Sequence, residues 1–555
     1  MFLTVTGQES FNFFVFSAIL YHTLFAGTNY INFTGIESEN FMTSRSTADR
    51  ILSAGIVVIT AHVIFKFTGL IKNVVLGHFF DEVQLDAYVI AFEGVILMLF
   101  YIGEEAIGPA FLPVFSEEKN KGNEKKAWSF ASALIQMQLL LLLIVVYFVF
   151  SRSQALIAFI NFMSGKGFTC TREGDFLASG LLTWMAPGLI GLSIGSTTYM
   201  ILNSYKRFFW AAFGDSLARI VLIALVFMFY NKSPVFSLGL GVGIGGFCKL
   251  GGHLWGMRDR LRNLARAKAV YRSKSFRKFA VLIAPLILGI LFSKVRDFFN
   301  HIIMLNNVAE SGILAANSFG RKLYVTAGWF VPYGLSIAML PYFCDMIDKE
   351  DRESMGRFMA DASRMLLLFF LPLTAGGVIL SYPLVQFLFE HGKFSLTFWT
   401  SAANICYMLV LPFYSLEFFY MQGFFADRRM VTPTVIGIFC SGLTMFFSFL
   451  FIGILDVEVV YGPVFAIGAV ALGYTVCRSL KVILLILFFQ KKFPGLKQDG
   501  NILFMCKLLV ITSGVSASTA FALFQLNRLT LAGAAGGRLY LGFKIFCSSL
   551  AGSAV

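Results

Sequence analysis

The chain has 555 residues, of which 57% are hydrophobic and only 14% are charged. A soluble protein of this length needs a polar surface that this composition does not supply, so soluble enzymes and nucleic-acid-binding domains are excluded as classes. The formal net charge of +14 fits either Lys- and Arg-rich cytoplasmic loops of a membrane protein or an anionic substrate. We expect the loops to account for most of this positive charge.

Apolar runs separated by short polar breaks predict an all-α polytopic membrane protein with about 14 transmembrane helices. Lys and Arg concentrate in every second loop. This alternation places those loops, and both ends of the 14-span core, in the cytoplasm. The eight cysteines are scattered, with no CxxC pair and no metal-ligand spacing. We therefore expect neither disulfides nor a metal site.

Two parts of the chain repeat one another. AFLPVFSEE at 110–118 resembles AMLPYFCDM at 338–346, and Pro187 in one span corresponds to Pro412 in a later one. An even number of spans between the copies preserves membrane orientation, which predicts two six-helix bundles related by a parallel pseudo-two-fold. The predicted parts are an N-terminal extension or extra helix at 1–50, a bundle at 51–257, a basic cytoplasmic linker at 258–278, a second bundle at 279–490 and two additional helices at 491–555.

Charged residues interrupt the first two spans of the predicted core. They are Lys66, Lys72, Glu93, Glu104 and Glu105, all within otherwise apolar sequence. A charge near the bilayer centre costs roughly 2.5 to 3.5 kcal/mol on insertion scales, so such residues usually face a bundle interior or a wet cavity. We predict a charged, water-filled centre. The alternative for Lys66 is a side chain that extends to the membrane interface.

Five separated blocks of sequence resemble the MurJ/MviN family of lipid II flippases, within the multidrug/oligosaccharidyl-lipid/polysaccharide exporter superfamily. The opening block comprises TGLIKNVVLGHFF, DAYVIAF and GEEAIGPAFLPVFSEEKNKG, and the others are APGLIGLSIGSTTYMILNSYKRF, AMLPYF, FEHGKF and GFFADRRMVTP. The resemblance implies a V-shaped bundle of 14 helices with a central cationic cavity. It also implies a substrate, undecaprenyl-pyrophosphate-linked disaccharide-pentapeptide, that moves from the inner to the outer leaflet.

The resemblance assigns cavity residues by position. Lys66 and Lys72 stand where the family usually has arginines, and Lys322 aligns with an essential arginine. Leu99 replaces a further family arginine, and Lys294 with Arg296 would compensate for that loss. Lysine is not equivalent to arginine, because a point charge replaces a planar bidentate donor. The predicted substrate-binding set is Lys66, Lys72, Lys294, Arg296, Arg321 and Lys322.

Acidic residues form a second set of candidates. Asp86 matches the family's acidic residue at the start of span two, Glu104 matches the Glu of a family motif, and Glu105 stands where the family has Gly. We expect these three to moderate cation charge or to act in gating. Asn300 replaces an acidic residue that often helps to bind a cation, which argues against a sodium site. An intrahelical pair of Lys294 with Asp297 is the structural alternative for that segment.

Some residues carry no decided role from sequence alone. Glu93 and Glu417 fit a functional and a structural interpretation equally well. The glycine-rich segment 238–246 lies in an apolar span, so we interpret it as a close helix-packing surface and not as a phosphate loop.

Two alternatives to a lipid II flippase stay open. One is an exporter of another lipid-linked oligosaccharide or a drug, although drug pumps of this superfamily usually prefer cations. The other is a membrane enzyme acting on polyprenyl phosphates, which would need an aspartate-rich metal motif that is absent from the sequence. We expect a monomer in the bacterial inner membrane that contacts lipid II and membrane lipids, with no cofactor. Coupling could use membrane potential, sodium ions or protons.

Overall fold

The apolar runs fold as helices, as expected where no water is available to the backbone amides. The computed structural model of the chain describes residues 67–167, 172–205, 207–266, 268–329, 343, 352–427, 429, 431–496, 501–531, 545 and 548–549. No β-strand occurs in these residues. The predicted extension at 1–50, Lys66 and most of the last predicted span lie outside them.

Nineteen helices are labelled here in chain order. They are α1 (67–79), α2 (Glu82–Asn120), α3 (Glu124–Ser151), α4 (Ser153–Met163), α5 (Glu173–Met185), α6 (Gly188–Ser204), α7 (Phe208–Phe229), α8 (Pro234–Gly256), α9 (Leu261–Arg266), α10 (Lys274–Phe298), α11 (Ile313–Trp329), α12 (Arg352–Ile379), α13 (Ser381–Phe389), α14 (Thr397–Met408), α15 (Leu411–Ala426), α16 (Val431–Ile454), α17 (Val457–Tyr461), α18 (Pro463–Gln490) and α19 (Asn501–Leu531).

Within the described residues, eight helices are long and apolar enough to cross a membrane. The number rises to 11 if each of three bent helix pairs is one span. The chain is therefore an all-α polytopic membrane protein, as predicted. The count of 14 spans and the division into two six-helix bundles stay predictions.

Two of the bent pairs occur at prolines that the repeat analysis had matched. The axes of α5 and α6 differ by 51° at a break that contains Pro187. Those of α14 and α15 differ by 44° where α15 begins with Leu411 and Pro412. Proline lacks an amide hydrogen and clashes with the preceding turn, which explains why each span breaks there.

The outer surface of the helices is apolar. On α3, Leu140 is 65% exposed and Ile144 is 62% exposed, and α19 exposes Val510 and Phe521. Exposed aliphatic and aromatic side chains on long helices are what a hydrocarbon environment requires. Several charged residues of the spans are buried between the helices instead, among them Lys72, Lys249 and Glu417.

Glycines allow α6 and α8 to approach each other closely. A Cβ atom added at Gly246 would lie 2.3 Å from the Gly188 carbonyl oxygen, and one added at Gly191 would lie 2.4 Å from the Gly246 carbonyl carbon. Only a residue without a side chain fits these positions. The predicted packing role of 238–246 is confirmed.

Helix α2 is central to the arrangement of charges described below. It packs against α5 and α6 on one side and against α10 and α11 on the other. Its 39 residues extend over about 58 Å at 1.5 Å per residue, longer than a bilayer core. Residues Val89–Ile96 of α2 are π-helical, as are Phe299–Met304 directly after α10.

Candidate functional site

An ion-pair cluster joins the π-helical part of α2 to α11. The Glu93 carboxylate accepts hydrogen bonds from Lys322 Nζ at 2.5 Å and from Ser318 Oγ at 2.6 Å. Arg321 Nη2 lies 3.5 Å from the other carboxylate oxygen. The Glu93 side chain is 9% exposed, whereas Arg321 and Lys322 are each 26% exposed. Two cations therefore share one buried carboxylate and remain partly accessible.

Lys72 of α1 lies near this cluster. Its ammonium donates to the Tyr88 hydroxyl at 3.3 Å and lies 5.5 Å and 5.6 Å from the ring centroids of Tyr88 and Phe92. The side chain is buried, and its electrostatic neighbours include Lys322 and Glu93. Aromatic faces stabilise a cation where no carboxylate is in direct contact.

Lys294 and Arg296, near the C-terminal end of α10, have different partners. Lys294 Nζ bonds Glu105 of α2 at 2.6 Å, and it lies 4.5 Å from the Tyr101 ring centroid. Arg296 bonds its neighbour Asp297 at 2.7 Å. The alternative of a Lys294–Asp297 pair is wrong, because α10 packs on α2 and brings Glu105 within reach of Lys294.

A further cluster joins α15 to α18, and its cations lie outside the predicted substrate-binding set. Arg478 and Lys481 of α18 bond opposite oxygens of the Glu417 carboxylate on α15, at 2.5 Å and 2.6 Å. The sequence does contain one signal for this cluster, because Arg478 and Lys481 interrupt the otherwise apolar span of α18. The role of Glu417, which the sequence does not decide, is here to bind both cations and join α15 to α18.

The N-terminal helices, α1–α8, contain another ion pair, in which only the lysine is buried. Lys249 of α8, whose side chain is 3% exposed, bonds Asp215 of α7 at 2.7 Å. Glu104 hydrogen-bonds Ser196 and has Lys249 and Asp215 as electrostatic neighbours. Sequence reasoning did not select Lys249, although it interrupts the glycine-rich apolar span. Glu104 thus lies beside Lys249 and not beside the cations of α11.

Asp86 binds the start of α11. Its carboxylate accepts the backbone N–H of Gly312 at 2.6 Å and that of Ala315 at 2.8 Å. These amides belong to the first turn of α11, where N–H groups lack partners within the helix and the helix dipole favours an anion. The contact joins α2 to α11 near one end of the molecule.

Other contacts at this end also join the two sets of helices, those before the basic linker (α1–α8) and those after it (α10–α19). The Ser395 hydroxyl bonds the Glu82 carboxylate, and Lys166 Nζ bonds the Asn306 side-chain oxygen at 3.0 Å. Burial lowers the pKa of the Lys166 ammonium to about 8. We call this region, defined by Glu82, Asp86, Lys166, Gly312 and Ser395, the Asp86 end.

The opposite end of α2 contacts the basic linker. Glu117 pairs with Lys121 and Lys278, and Glu124 pairs with Arg260 at 3.1 Å. We call this region, defined by Glu117, Glu124, Arg260 and Lys278, the Glu117 end. Arg260 and Lys278 of the linker therefore hold it against α3 and α2.

Within the part of the chain that the structure describes, no group of three or more His, Cys, Asp or Glu residues could hold a metal ion. Asn300 is 1% exposed, and neither atom of its amide group has a hydrogen-bond partner among the described residues. Where the family often has an acidic cation ligand, this chain thus has a buried neutral amide.

A sequence model of the family described as lipid II flippase MurJ matches residues 77–532. The chain belongs to the MurJ family. The predicted family is thereby confirmed, and membership makes the chain a membrane transporter and not an enzyme. The match includes Asp86, Glu104, Arg321 and Lys322, and it begins after Lys72.

Individual members of the MurJ family align over most of the chain. The probable lipid II flippase MurJ of Borreliella burgdorferi is 25% identical over 423 residues, which are 74% of this chain and 77% of the relative. The lipid II flippase MurJ of Thermosipho africanus is 26% identical over 469 residues, which are 83% of this chain and 91% of the relative.

Solved structures share the fold. A lipid II flippase MurJ in an inward closed conformation superposes with a TM-score of 0.67 at 23% identity, covering 90% of this chain and 97% of that one. An inward-facing multidrug resistance MATE transporter of the MOP superfamily superposes with a TM-score of 0.65 at 14% identity, covering 80% and 99%. The MurJ fold is thus shared with drug transporters.

The Glu93 cluster leads to a test of coupling. We expect Glu93→Gln to lower the thermal unfolding midpoint of the detergent-solubilised protein, with a cost of about 3 kcal/mol, because Arg321 and Lys322 lose their shared counter-ion. The double variant Glu93→Gln/Lys322→Gln should lose less than the sum of the two single variants. Exposed Glu310→Gln is the control and should unfold as the unchanged chain does. Additive losses would show that the pair does not interact.

Proposed function

We propose that the chain moves lipid II from the inner to the outer leaflet by alternating access through a central cationic cavity. The observation that carries the proposal is the group of Lys72, Arg321 and Lys322 around the single carboxylate of Glu93. Positive charge there exceeds negative charge. The family and the named relatives support lipid II as the substrate.

The chemistry of a pyrophosphate explains why cations are needed in the membrane interior. The pyrophosphate must give up its hydration to cross, and fixed ammonium and guanidinium donors replace water at tolerable cost. Glu93 compensates only part of the charge of Lys322 and Arg321 in the absence of lipid. A bound phosphate oxygen would compete with this carboxylate, so the lipid could be held and also released.

The predicted cavity residues divide by their surroundings. Lys72, Arg321 and Lys322 lie together, and we assign them to the pyrophosphate. Lys294 is paired with Glu105 and Arg296 with Asp297, so we assign them to the lining of the cavity farther along α10. Lys66 lies outside the described residues and stays a candidate from the family resemblance.

Alternating access requires contacts that form and break at the two ends of the molecule. The Asp86 end holds α2 against the start of α11 and the 390–396 loop in this conformation. We propose that it faces the outside and that Asp86 and Glu82 release their partners when the head group leaves. The Glu117 end, with the Lys- and Arg-rich linker, would face the cytoplasm. Glu104, by contrast, would stabilise Lys249 within the N-terminal helices.

One chain is sufficient for this proposal, because α2, α10 and α11 all contribute to the charged centre. We place the protein in the bacterial inner membrane as a monomer. Export of cationic drugs is the alternative that the shared MATE fold suggests. An excess of Lys and Arg in the centre opposes it, since like charges repel in a low-dielectric site.

Leaflet-specific labelling of lipid II tests the assignment of cations. In cells depleted of their own flippase, the unchanged chain should bring labelled head groups to the outer face. Lys72→Ala and Lys322→Ala should each reduce this export by about tenfold or more, because a charge-assisted hydrogen bond contributes roughly 1.5 to 3 kcal/mol. Exposed Lys232→Ala is the matched control and should export normally.

Membrane levels of each variant must equal those of the unchanged chain. Full export by both Lys72→Ala and Lys322→Ala would contradict the assignment of the cationic centre. A correctly inserted chain that exports no lipid II at all would contradict the substrate.

A reversible cross-link tests alternating access. In a variant without native cysteines, Glu82→Cys with Ser395→Cys should form a disulfide that joins the two sets of helices at the Asp86 end. We expect export to stop on oxidation and to recover with a reductant. The control pair is Ser153→Cys with Thr183→Cys, whose hydroxyls lie 3.2 Å apart within the N-terminal helices. Continued export with a complete Glu82–Ser395 cross-link would rule out opening at that end.

A further inference from the structure

The Glu417 cluster has more positive charge than its own carboxylate neutralises. Arg478 and Lys481 both bond Glu417, which leaves one positive charge uncompensated. The side chains of Arg478 and Lys481 are 18% and 19% exposed, so they are not fully enclosed by packing. A lysine ammonium has three donors, and the Glu417 contact uses one of those of Lys481. The cluster can therefore accept another anion.

Aromatic rings surround the guanidinium of Arg478. Its central carbon lies 4.6 Å from the Tyr414 ring centroid and 5.3 Å from that of Tyr474. Arg296 lies 5.5 Å from the same Tyr474 ring, so two like charges flank one tyrosine. Cation–π contacts stabilise these charges. Arg296 has its own counter-ion in Asp297, whereas Arg478 and Lys481 share one carboxylate. The excess positive charge that favours an anionic ligand therefore belongs to the Glu417 cluster.

The Glu417 cluster is connected to the proposed pyrophosphate site through Tyr324. This tyrosine follows Lys322 by two residues on α11, and its hydroxyl donates to the Tyr474 hydroxyl at 3.3 Å. Arg321 and Arg478 are both electrostatic neighbours of Tyr324. Both groups of cations thus have a member near the same buried side chain.

We propose that Arg478 and Lys481 form a second anion subsite, which binds a carboxylate of the peptide stem of the transported head group. The inference rests on the proposed function, since it assumes that a pyrophosphate-linked glycopeptide enters the charged centre. An extended pentapeptide spans at most about 17 Å, so a carboxylate on the stem can reach a neighbouring cluster while the pyrophosphate contacts Lys322. Phosphate and carboxylate would then be bound at separate points.

A structural interpretation of the same contacts is that Glu417 holds α15 to α18. It predicts that removal of one cation changes stability, without regard to which lipid is bound. A peptide subsite predicts instead that removal of one cation weakens lipid binding mainly when the lipid carries its peptide stem. Lys481 is the better residue to change, because Arg478 still pairs with Glu417 when Lys481 is neutral.

The test compares two lipids on the purified full-length chain. Native mass spectrometry would measure binding of lipid II and of the same lipid after enzymatic removal of its peptide stem. We expect Lys481→Gln to weaken lipid II binding by about tenfold and to change binding of the peptide-free lipid less than about twofold. Lys481→Arg should restore lipid II binding. Exposed Lys491→Gln, just beyond the end of α18, is the matched control and should change neither.

The outcomes separate this inference from the proposed function. Equal losses of both lipids in Lys481→Gln, or no loss of either, would overturn the peptide subsite. A lower thermal unfolding midpoint with unchanged preference between the lipids would likewise overturn it in favour of the structural interpretation. Failure of the unchanged chain to bind either lipid would contradict the proposed function itself.

Discussion

An ionised side chain in a bilayer is costly unless it is paired or reaches water, and this constraint governs how the helices of the chain meet. Glu93 joins α2 to α11, Glu105 joins α2 to α10, and Glu417 joins α15 to α18. Each pair lowers the cost of its charges and also fixes the relative position of two helices. A conformational change that separates two of these helices must therefore break the ion pair between them.

The same constraint gives the centre its chemical character. Carboxylates are shared between cations at Glu93 and at Glu417, so each place has a positive charge without a full counter-ion. An anionic lipid can supply that counter-ion while it occupies the site. In the proposed mechanism, the carboxylate again compensates part of its neighbours' charge when the lipid leaves. Binding and release would then depend on competition between two kinds of anion for the same donors.

Sequence could predict the helical membrane fold and the family, because hydropathy, loop charge and motif order are local properties. It could not predict partners. Lys294 bonds Glu105 and not Asp297, since that choice depends on the packing of α10 on α2. Glu93 was left undecided, and its position in a π-helical segment has no signal in the apolar sequence around it. Lys249, Arg478 and Lys481 were overlooked, although Lys249 interrupts one apolar span and Arg478 and Lys481 interrupt another.

The central claim is that the pyrophosphate of lipid II binds among Lys72, Arg321 and Lys322. An electron cryomicroscopy structure of the full chain with lipid II bound tests it most directly. We expect phosphate density within hydrogen-bond distance of Lys322 Nζ, with the Glu93 carboxylate displaced from at least one of its present partners. Phosphate density elsewhere, with the Glu93–Lys322 contact intact, would contradict the account.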